Sequence, residues 1–334
     1  MNDCPWLQSC GGCDLGTTAL GEQHQRKQHF VQRALNRDAL PPLVNSPLSV
    51  GHRARIKLAI EDDQVGYRAG GSHDLVPIER CVVARDEVNE ALTALRSWLP
   101  GRGSRLASVE IRSDGTRAVF NFQLKGKAIG AKARSAMWDL GDVALGGRRL
   151  CGDPTLQLNV LDCDLRASPN SFYQVNLEAN VELVRHVRDT VASLSPARVL
   201  DLYSGIGNLT FPIADLGVPV LAVEREGQAT GDCQERIGER DVKVLRMPVE
   251  RMDPSREFFD VAVLDPPRKG ASGVLAKLVL NRPRALVYIS CHAPSAARDI
   301  KEATRAGYSI ADVTCFDMFP DTHHVETVIV LHRA

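Results

Sequence analysis

The chain has 334 residues, of which 44% are hydrophobic and 25% charged, with a formal net charge of zero. That length exceeds one small core and suits two domains, or one large domain with an appendage. Charge balance alone argues neither for nor against a nucleic-acid partner, so any basic surface has to be local. No apolar run approaches the roughly 18 residues needed to cross a bilayer. Met1–Trp6 carries no charged-then-apolar signal segment, so a cytoplasmic location is expected. Nine cysteines, odd in number and scattered, make no secreted disulfide framework and fit ligands or nucleophiles in a reducing compartment.

In chain order, the first feature is Cys4-x5-Cys10-Gly-Gly-Cys13, followed much later by Cys81. Four such thiols suit a 4Fe–4S cluster and, on spacing alone, equally a four-thiolate zinc site. Residues 22–36 read as a polar helix, after which Pro41, Pro42 and Pro47 break the chain. Strands are expected at 53–61, 65–68, 108–112 and 118–124, giving an α+β domain that ends between 150 and 168. Two basic stretches lie in this half. Arg26, Lys27, Arg33, Arg37, Arg53, Arg55 and Lys57 face a single acid, Asp38, and residues 101–150 hold ten Lys/Arg against four Asp/Glu. Patches of this kind suit a phosphate backbone, though charge alone leaves plain solvated faces as an equal reading.

From residue 195 onward, short apolar runs alternate with helical segments. Strands are expected at 198–202, 218–223, 242–247, 259–264 and 285–289, with helices from the glycine turn through 216 and over 227–238. This alternation predicts a doubly wound parallel sheet. Two last runs, 310–316 and 325–331, form an antiparallel hairpin closing one edge, as in many S-adenosylmethionine methyltransferases. Asp201-Leu-Tyr-Ser-Gly-Ile-Gly-Asn208 falls where the first strand gives way to a helix, and the next strand ends in Glu224. No third glycine completes a pyrophosphate fingerprint, which favours a nucleoside cofactor over a dinucleotide. Three further segments fall at strand ends: Asp265-Pro-Pro-Arg-Lys-Gly270, Ser290-Cys291-His292 and Asp317 through Glu326. A thiol, Cys291, and a carboxylate, Glu326, beside one cofactor suggest nucleophilic attack followed by proton removal.

Asp317-Met-Phe-Pro-x-Thr-x-His-Val-Glu326, Ser290-Cys291, Asp265-Pro-Pro-Arg-x-Gly270, the Asp201–Asn208 motif and Ser171-Phe-Tyr-Gln-Val-Asn176 together resemble the RNA uridine-C5 methyltransferases. The resemblance covers nearly the whole chain. It implies Cys291 as the nucleophile adding to C6 of uracil and Glu326 as the base that removes the C5 proton. It also implies a pocket of Gln174, Tyr203, Gly205, Asn208, Glu224 and Asp265 for S-adenosyl-L-methionine and the target base, which would leave its stack to enter. The cysteine pattern resembles the iron–sulfur 23S rRNA branch, whose approach to the fourth ligand looks like Ser72-His-Asp-Leu-Val-Pro-Ile-x-x-Cys81. That likeness tips the ligand set Cys4, Cys10, Cys13 and Cys81 toward a 4Fe–4S cluster, with zinc as the alternative. Because the chain opens on the cysteine motif, the compact form without an N-terminal β-barrel is expected. Arg53, Arg55, Lys57 and the basic residues of 101–150 would then hold RNA.

The division implied is 1–45 for the cysteine-rich segment and helix, 46–160 for an RNA-binding α+β domain, and 161–334 for the methyltransferase domain; a monomer is the default. Two departures stand out. His292 replaces the usual Asn after the nucleophile, and Tyr203-Ser204 replaces the usual Phe-Cys. The alternatives are a tRNA uridine-C5 methyltransferase and a non-catalytic RNA-binding protein on the same fold. A cytosine-C5 enzyme of DNA is disfavoured, because no Pro-Cys motif follows the 259–264 strand. Cys151, Cys163, Cys233 and Cys315 are expected to be packing residues.

Overall fold

The structure, a computed structural model, describes residues 3–126, 128–254 and 257–333. The cysteine segment leads into α1 (Leu20–Leu35), whose buried side chains are Gln23, Lys27, Val31 and Leu35. These recur every four residues and form one stripe along the helix. The expected polar helix therefore has an inner face, apolar in its second half and polar in its first.

A seven-stranded sheet follows, built from β1 (Arg55–Glu61), β2 (Gln64–Arg68), β3 (Leu75–Pro77), β4 (Leu106–Ser113), β5 (Ala118–Leu124), β6 (Val143–Leu145) and β7 (Arg148–Cys151). Their order across the sheet is β3-β2-β1-β4-β5-β6-β7. Helix α2 (Asp86–Trp98) buries Val88, Leu92 and Leu95 against it, and short α3 (Ala131–Ala136) lies beyond β5. A hairpin, β8 (Leu156–Val160) with β9 (Cys163–Ala167), then joins the halves. Neither α2 nor this hairpin was expected from the sequence.

The second sheet contains β10 (Val199–Leu202), β11 (Val220–Glu224), β12 (Val242–Arg246), β13 (Val261–Leu264), β14 (Ala285–Ser290), β15 (Tyr308–Phe316) and β16 (Glu326–Arg333). The order is β12-β11-β10-β13-β14-β16-β15; the first five are parallel, β16 runs antiparallel to β14, and β15 runs antiparallel to β16. Alternate residues feed opposite faces, as the two-residue strand period requires. Val199, Val261, Val263 and Val287 pack with α4 (Leu177–Leu194), α5 (Thr210–Ala214) and α6 (Gly227–Gln234). Leu200, Leu202, Ala262 and Leu286 pack with α1, α7 (Val274–Leu278) and α8 (Ala293–Arg305). The expected doubly wound sheet and edge hairpin are present. The helix after the glycine turn starts only at Thr210, because 203–209 are spent on the turn itself.

Two seams hold the halves together. Arg112, with no exposed surface, donates to the Ser168 carbonyl at 2.8 Å and the Ser171 carbonyl at 2.6 Å, and lies 5.0 Å over the Tyr173 ring. The Ala54 N–H donates to the Val175 carbonyl at 2.7 Å. The Ser171–Asn176 motif is thereby docked on the first sheet. At the second seam, Lys27 Nζ donates to Asp317 Oδ1 at 2.5 Å and to the Phe319 carbonyl at 3.0 Å. His24 Nε2 pairs with Asp317 Oδ2 at 3.1 Å, while Gln23 and Asp321 exchange two hydrogen bonds.

Removing one partner of a buried pair strands the other charge, at a typical cost of about 3–5 kcal/mol. Lys27→Met leaves Asp317 with His24 alone, so the expected loss is about 3 kcal/mol in urea denaturation. The double variant Lys27→Met/Asp317→Leu removes both charges and should regain most of it. A single variant as stable as the parent would show that the pair carries no weight.

Candidate active site

The edge formed by the carboxyl ends of the parallel strands gathers most of the predicted residues. Tyr203 follows β10, Glu224 ends β11, Asp265 follows β13 and Cys291 follows β14. Strand order reverses between β11, β10 and β13, the crevice where open α/β sheets bind ligands. Because β16 runs antiparallel, its first residue, Glu326, falls at this same edge. Thr327 is paired with Ser290, and its hydroxyl donates to the Ser290 carbonyl at 3.0 Å. The nucleophile and the base predicted from sequence thus sit on neighbouring strands.

The glycine turn is shaped for close approach. Tyr203 adopts φ +63, a conformation costly for a residue with a side chain, while its N–H and that of Ser204 both donate to the Val223 carbonyl. Gly207, at φ +95, has no room for a Cβ, which would stand 2.7 Å from the Phe211 ring. At Gly205, φ +56, a Cβ would meet nothing within 4 Å, so open space lies over the turn. Glu224 accepts the Gly205 N–H at 3.1 Å through one oxygen and the N–H groups of Arg225 and Glu226 at 2.7 Å through the other. Asp201 is fully buried; Thr210 donates to its Oδ2 at 2.5 Å, but among the described residues neither Oδ1 nor the buried Ser204 hydroxyl has a partner. Unsatisfied buried polar atoms beside open space fit a ligand that brings its own donors.

Gln174 and Asn208 line a neighbouring cavity of about 150 Å³ with Asn180, Tyr173 and Ile206. Asn180 and Asn208 exchange amide hydrogen bonds at 2.8 and 3.0 Å, a pairing that sequence reading missed. Asn180 lies one turn into α4, whose cap is Asn176 of the Ser171–Asn176 motif.

Electrostatics single out the crevice. Burial raises the Asp201 carboxyl to about 7, with the Asp265 and Glu224 charges adding to it, and raises Asp265 to about 6. Glu326 is pushed well above the carboxylate range, first by burial and then by Asp265. Cys291 is pushed up to about 11 by burial, then by Glu326 and Asp265, with Arg268 opposing. Carboxyls withdrawn from water beside like charges resist ionisation. His292 lies at the mouth. Its Nδ1 pairs with the Ser295 hydroxyl at 2.8 Å, and that hydroxyl donates to the Arg268 carbonyl at 3.0 Å. The ring thereby joins the Cys291 turn to the Asp265–Gly270 loop.

The four predicted metal ligands come together. Cys4, Cys10, Cys13 and Cys81 line one small depression, of about 20 Å³, with Leu7, Gly12, Arg53 and Tyr67. Burial raises Cys13 to about 12 and also raises Cys10. Among the described residues, no group of three or more His, Cys, Asp or Glu side chains is gathered closely enough to hold a single metal ion. Cys151, Cys163, Cys233 and Cys315 are buried, as expected of packing residues. The basic residues divide: Lys57 is exposed, Arg55 lies 4.9 Å over the Phe172 ring, and Arg53 turns toward the cysteines, donating to the Gly12 carbonyl at 3.4 Å. Among the described residues, no helix is long and apolar enough to cross a membrane.

A parallel sheet with a glycine turn, an acid at the second strand end and an antiparallel closing hairpin is the fold of S-adenosylmethionine-dependent methyltransferases. Residues 153–334 match the family described as tRNA (Uracil-5-)-methyltransferase. The 23S rRNA (uracil(1939)-C(5))-methyltransferase RlmD of Yersinia enterocolitica is 30% identical, over 97% of this chain and 80% of its own length. The RlmD of Pectobacterium atrosepticum is also 30% identical, over 98% and 79%. The crystal structure of Pyrococcus abyssi tRNA (uracil-54, C5)-methyltransferase in complex with S-adenosyl-L-homocysteine superposes with a TM-score of 0.80. It is 25% identical, and the match covers 96% of this chain and 86% of that one. The chain belongs to the RNA uracil-C5 methyltransferase family.

Because burial, and then negative neighbours, hold the Cys291 thiol up to about 11, its alkylation by iodoacetamide should rise about tenfold per pH unit across neutrality, with no plateau below pH 9. Asp265→Asn removes one of those charges and should lower the thiol's pKa, giving faster alkylation at pH 8. Mass spectrometry of the Cys291 peptide reads both. Slower alkylation in the variant would contradict the assigned field.

Proposed function

We propose that this protein methylates carbon 5 of a uridine in RNA, with 23S rRNA the favoured substrate. The observation that carries the reading is Cys291 and Glu326 on adjoining strands at the crevice edge, sharing one negative field with Asp265. Relatives across nearly the whole chain act on 23S rRNA, which favours that substrate over tRNA. S-Adenosylmethionine, when bound, supplies the methyl group and a positive charge. Its site would be formed by Gln174, Tyr203, Gly205, Asn208, Glu224 and Asp265, with Glu224 taking the ribose hydroxyls.

Placing a cation among these acids lowers the pKa of Cys291 and Glu326 together. The Cys291 thiolate then adds to C6 of uracil, and the electron pair moves to C5, making it nucleophilic toward the methyl group. The carboxylate of Glu326 takes the proton from the methylated C5. The C5–C6 double bond re-forms, and Cys291 leaves as thiolate. Each step uses a group already at the edge, and the target base leaves its stack to reach it.

We further assign a 4Fe–4S cluster, with zinc as the alternative, to Cys4, Cys10, Cys13 and Cys81, a reading supported by four thiols lining one depression. Bound iron would hold the thiols deprotonated despite burial. We assign this cluster to folding and RNA positioning, residues 46–160 to RNA binding and residues 161–334 to methyl transfer.

The direct test incubates anaerobically prepared protein with labelled S-adenosylmethionine and unmodified 23S rRNA, mapping 5-methyluridine by mass spectrometry. Cys291→Ala should abolish product. Glu326→Gln should form the methylated adduct but release it slowly, so a protein–RNA species accumulates on denaturing gels. Product from tRNA alone would shift the substrate, and no product from either RNA would favour the binding-protein reading. Separately, iron and acid-labile sulfide should be present at about four each per chain, and Cys13→Ser should lose both. Zinc without sulfide would replace the cluster by the single-ion alternative.

A further inference from the structure

The loop from Asp265 to Ala271 leaves β13 at the crevice edge, and Pro267, Arg268 and Lys269 on it are exposed. A loop so placed ordinarily trades backbone hydrogen bonds with water and moves. This one is held from beneath. Helix α8 begins at Ala293, two residues after Cys291, and turns Ser295, Arg298 and Asp299 toward the loop at the three- and four-residue spacing of one helix face. The Ser295 hydroxyl donates to the Arg268 carbonyl at 3.0 Å and Arg298 donates to the Lys269 carbonyl at 2.6 Å. Asp299 accepts the Ala271 N–H at 2.6 Å.

Asp299 is where these contacts converge. It is 1% exposed, and hiding an acid is costly unless its lone pairs are used. Its Oδ2 also accepts the Tyr288 hydroxyl at 2.7 Å, while Oδ1 accepts Arg298 Nε at 3.0 Å. Tyr288 is a fully buried residue of β14, three positions before Cys291. Gly270, at φ +82, lies directly on the carboxylate, where a Cβ would collide with it. The loop is also stiff along its length. Pro266 and Pro267 each fix a φ angle, and the Gly270 N–H donates to the Pro267 carbonyl at 2.7 Å. Its near end is tied to β10 by the Asp265 N–H, 3.3 Å from the Leu202 carbonyl.

A stiff segment gripped at Arg268, Lys269 and Ala271 cannot swing at Asp265. The nucleophile turn is joined to the same grip twice, through Tyr288 before Cys291 and through α8 after it. We propose that Asp299 is a positioning residue for methyl transfer: through the Ala271 N–H and the Tyr288 hydroxyl it fixes where the Asp265 carboxyl stands relative to Cys291. The assignment rests on the activity proposed above. It gives a buried acid outside the reacting groups a task in setting their spacing, on which the interaction of like charges depends.

The test measures iodoacetamide alkylation of Cys291 at pH 8 in full-length anaerobic protein, in a cycle of Asp299→Ala with Asp265→Asn. Asp299→Ala alone should speed alkylation about threefold as the Asp265 charge drifts from the thiol, and should add nothing once Asp265→Asn is present. Asp299→Asn keeps one oxygen for Ala271 and Tyr288 and should react like the parent. With labelled S-adenosylmethionine and saturating 23S rRNA, kcat should fall about tenfold in Asp299→Ala and return in Asp299→Asn. Unchanged alkylation in Asp299→Ala, equal speeding with and without Asp265→Asn, or an unchanged kcat would overturn the proposal. If Asp299→Ala fails to fold, Arg298→Met takes its place in the cycle, since that half-exposed side chain grips both Lys269 and Asp299. A parent that methylates no RNA would strike the activity alone, because the alkylation cycle uses none.

Discussion

Lys27 and Asp317 lie on elements 290 residues apart, with side chains 0% and 1% exposed, and meet at 2.5 Å. Burying an ammonium and a carboxylate is expensive, and the attraction compensates only when the remaining hydrogen-bonding capacity is used. It is used here. The Phe319 carbonyl takes a second Lys27 proton and the His24 ring meets the other carboxylate oxygen. The loop so gripped ends in Glu326, and its outer turn is tied to the cysteine segment through the Leu15 N–H, which donates to the Asp321 carbonyl at 2.9 Å. One buried pair therefore fixes the strand headed by Glu326, the first helix and the N-terminal segment relative to each other.

Within that frame the crevice is built against its own comfort. Asp201, Asp265 and Glu326 are each raised first by burial, and the Asp265 charge adds to the shift of the other two. Such a site stores a preference for a positive ligand. The same surroundings, burial first and then the Glu326 and Asp265 charges, raise the Cys291 thiol to about 11. A thiol so held is protected from stray alkylation and oxidation at neutral pH, since reactivity follows the thiolate.

His292 directly follows Cys291 at the end of β14. Its ring nitrogen engages Ser295 and, through it, the Arg268 carbonyl. That linkage requires only a hydrogen-bonding atom at the right reach, which an imidazole supplies. The linkage therefore keeps the Cys291 turn joined to the Asp265–Gly270 loop through a titratable group.

The sequence by itself determined the class of the second sheet, its edge hairpin and the residues at its strand ends. Strand periodicity and the glycine turn are local properties, and Tyr203, Glu224, Asp265 and Cys291 each terminate or follow a legible apolar run. It also marked four cysteines as a set. It did not reveal what Lys27 does, because a lysine in a polar helix reads as solvated. The signal was its place in the Gln23–Lys27–Val31–Leu35 stripe, whose apolar end alone was conspicuous. Nor did it separate Arg53 from Arg55 and Lys57, which alternate alike in sequence yet face a thiol cavity, an aromatic ring and water. Only the tertiary structure decided these, because burial and charge pairing depend on which distant segments close over a residue, and no local pattern encodes that.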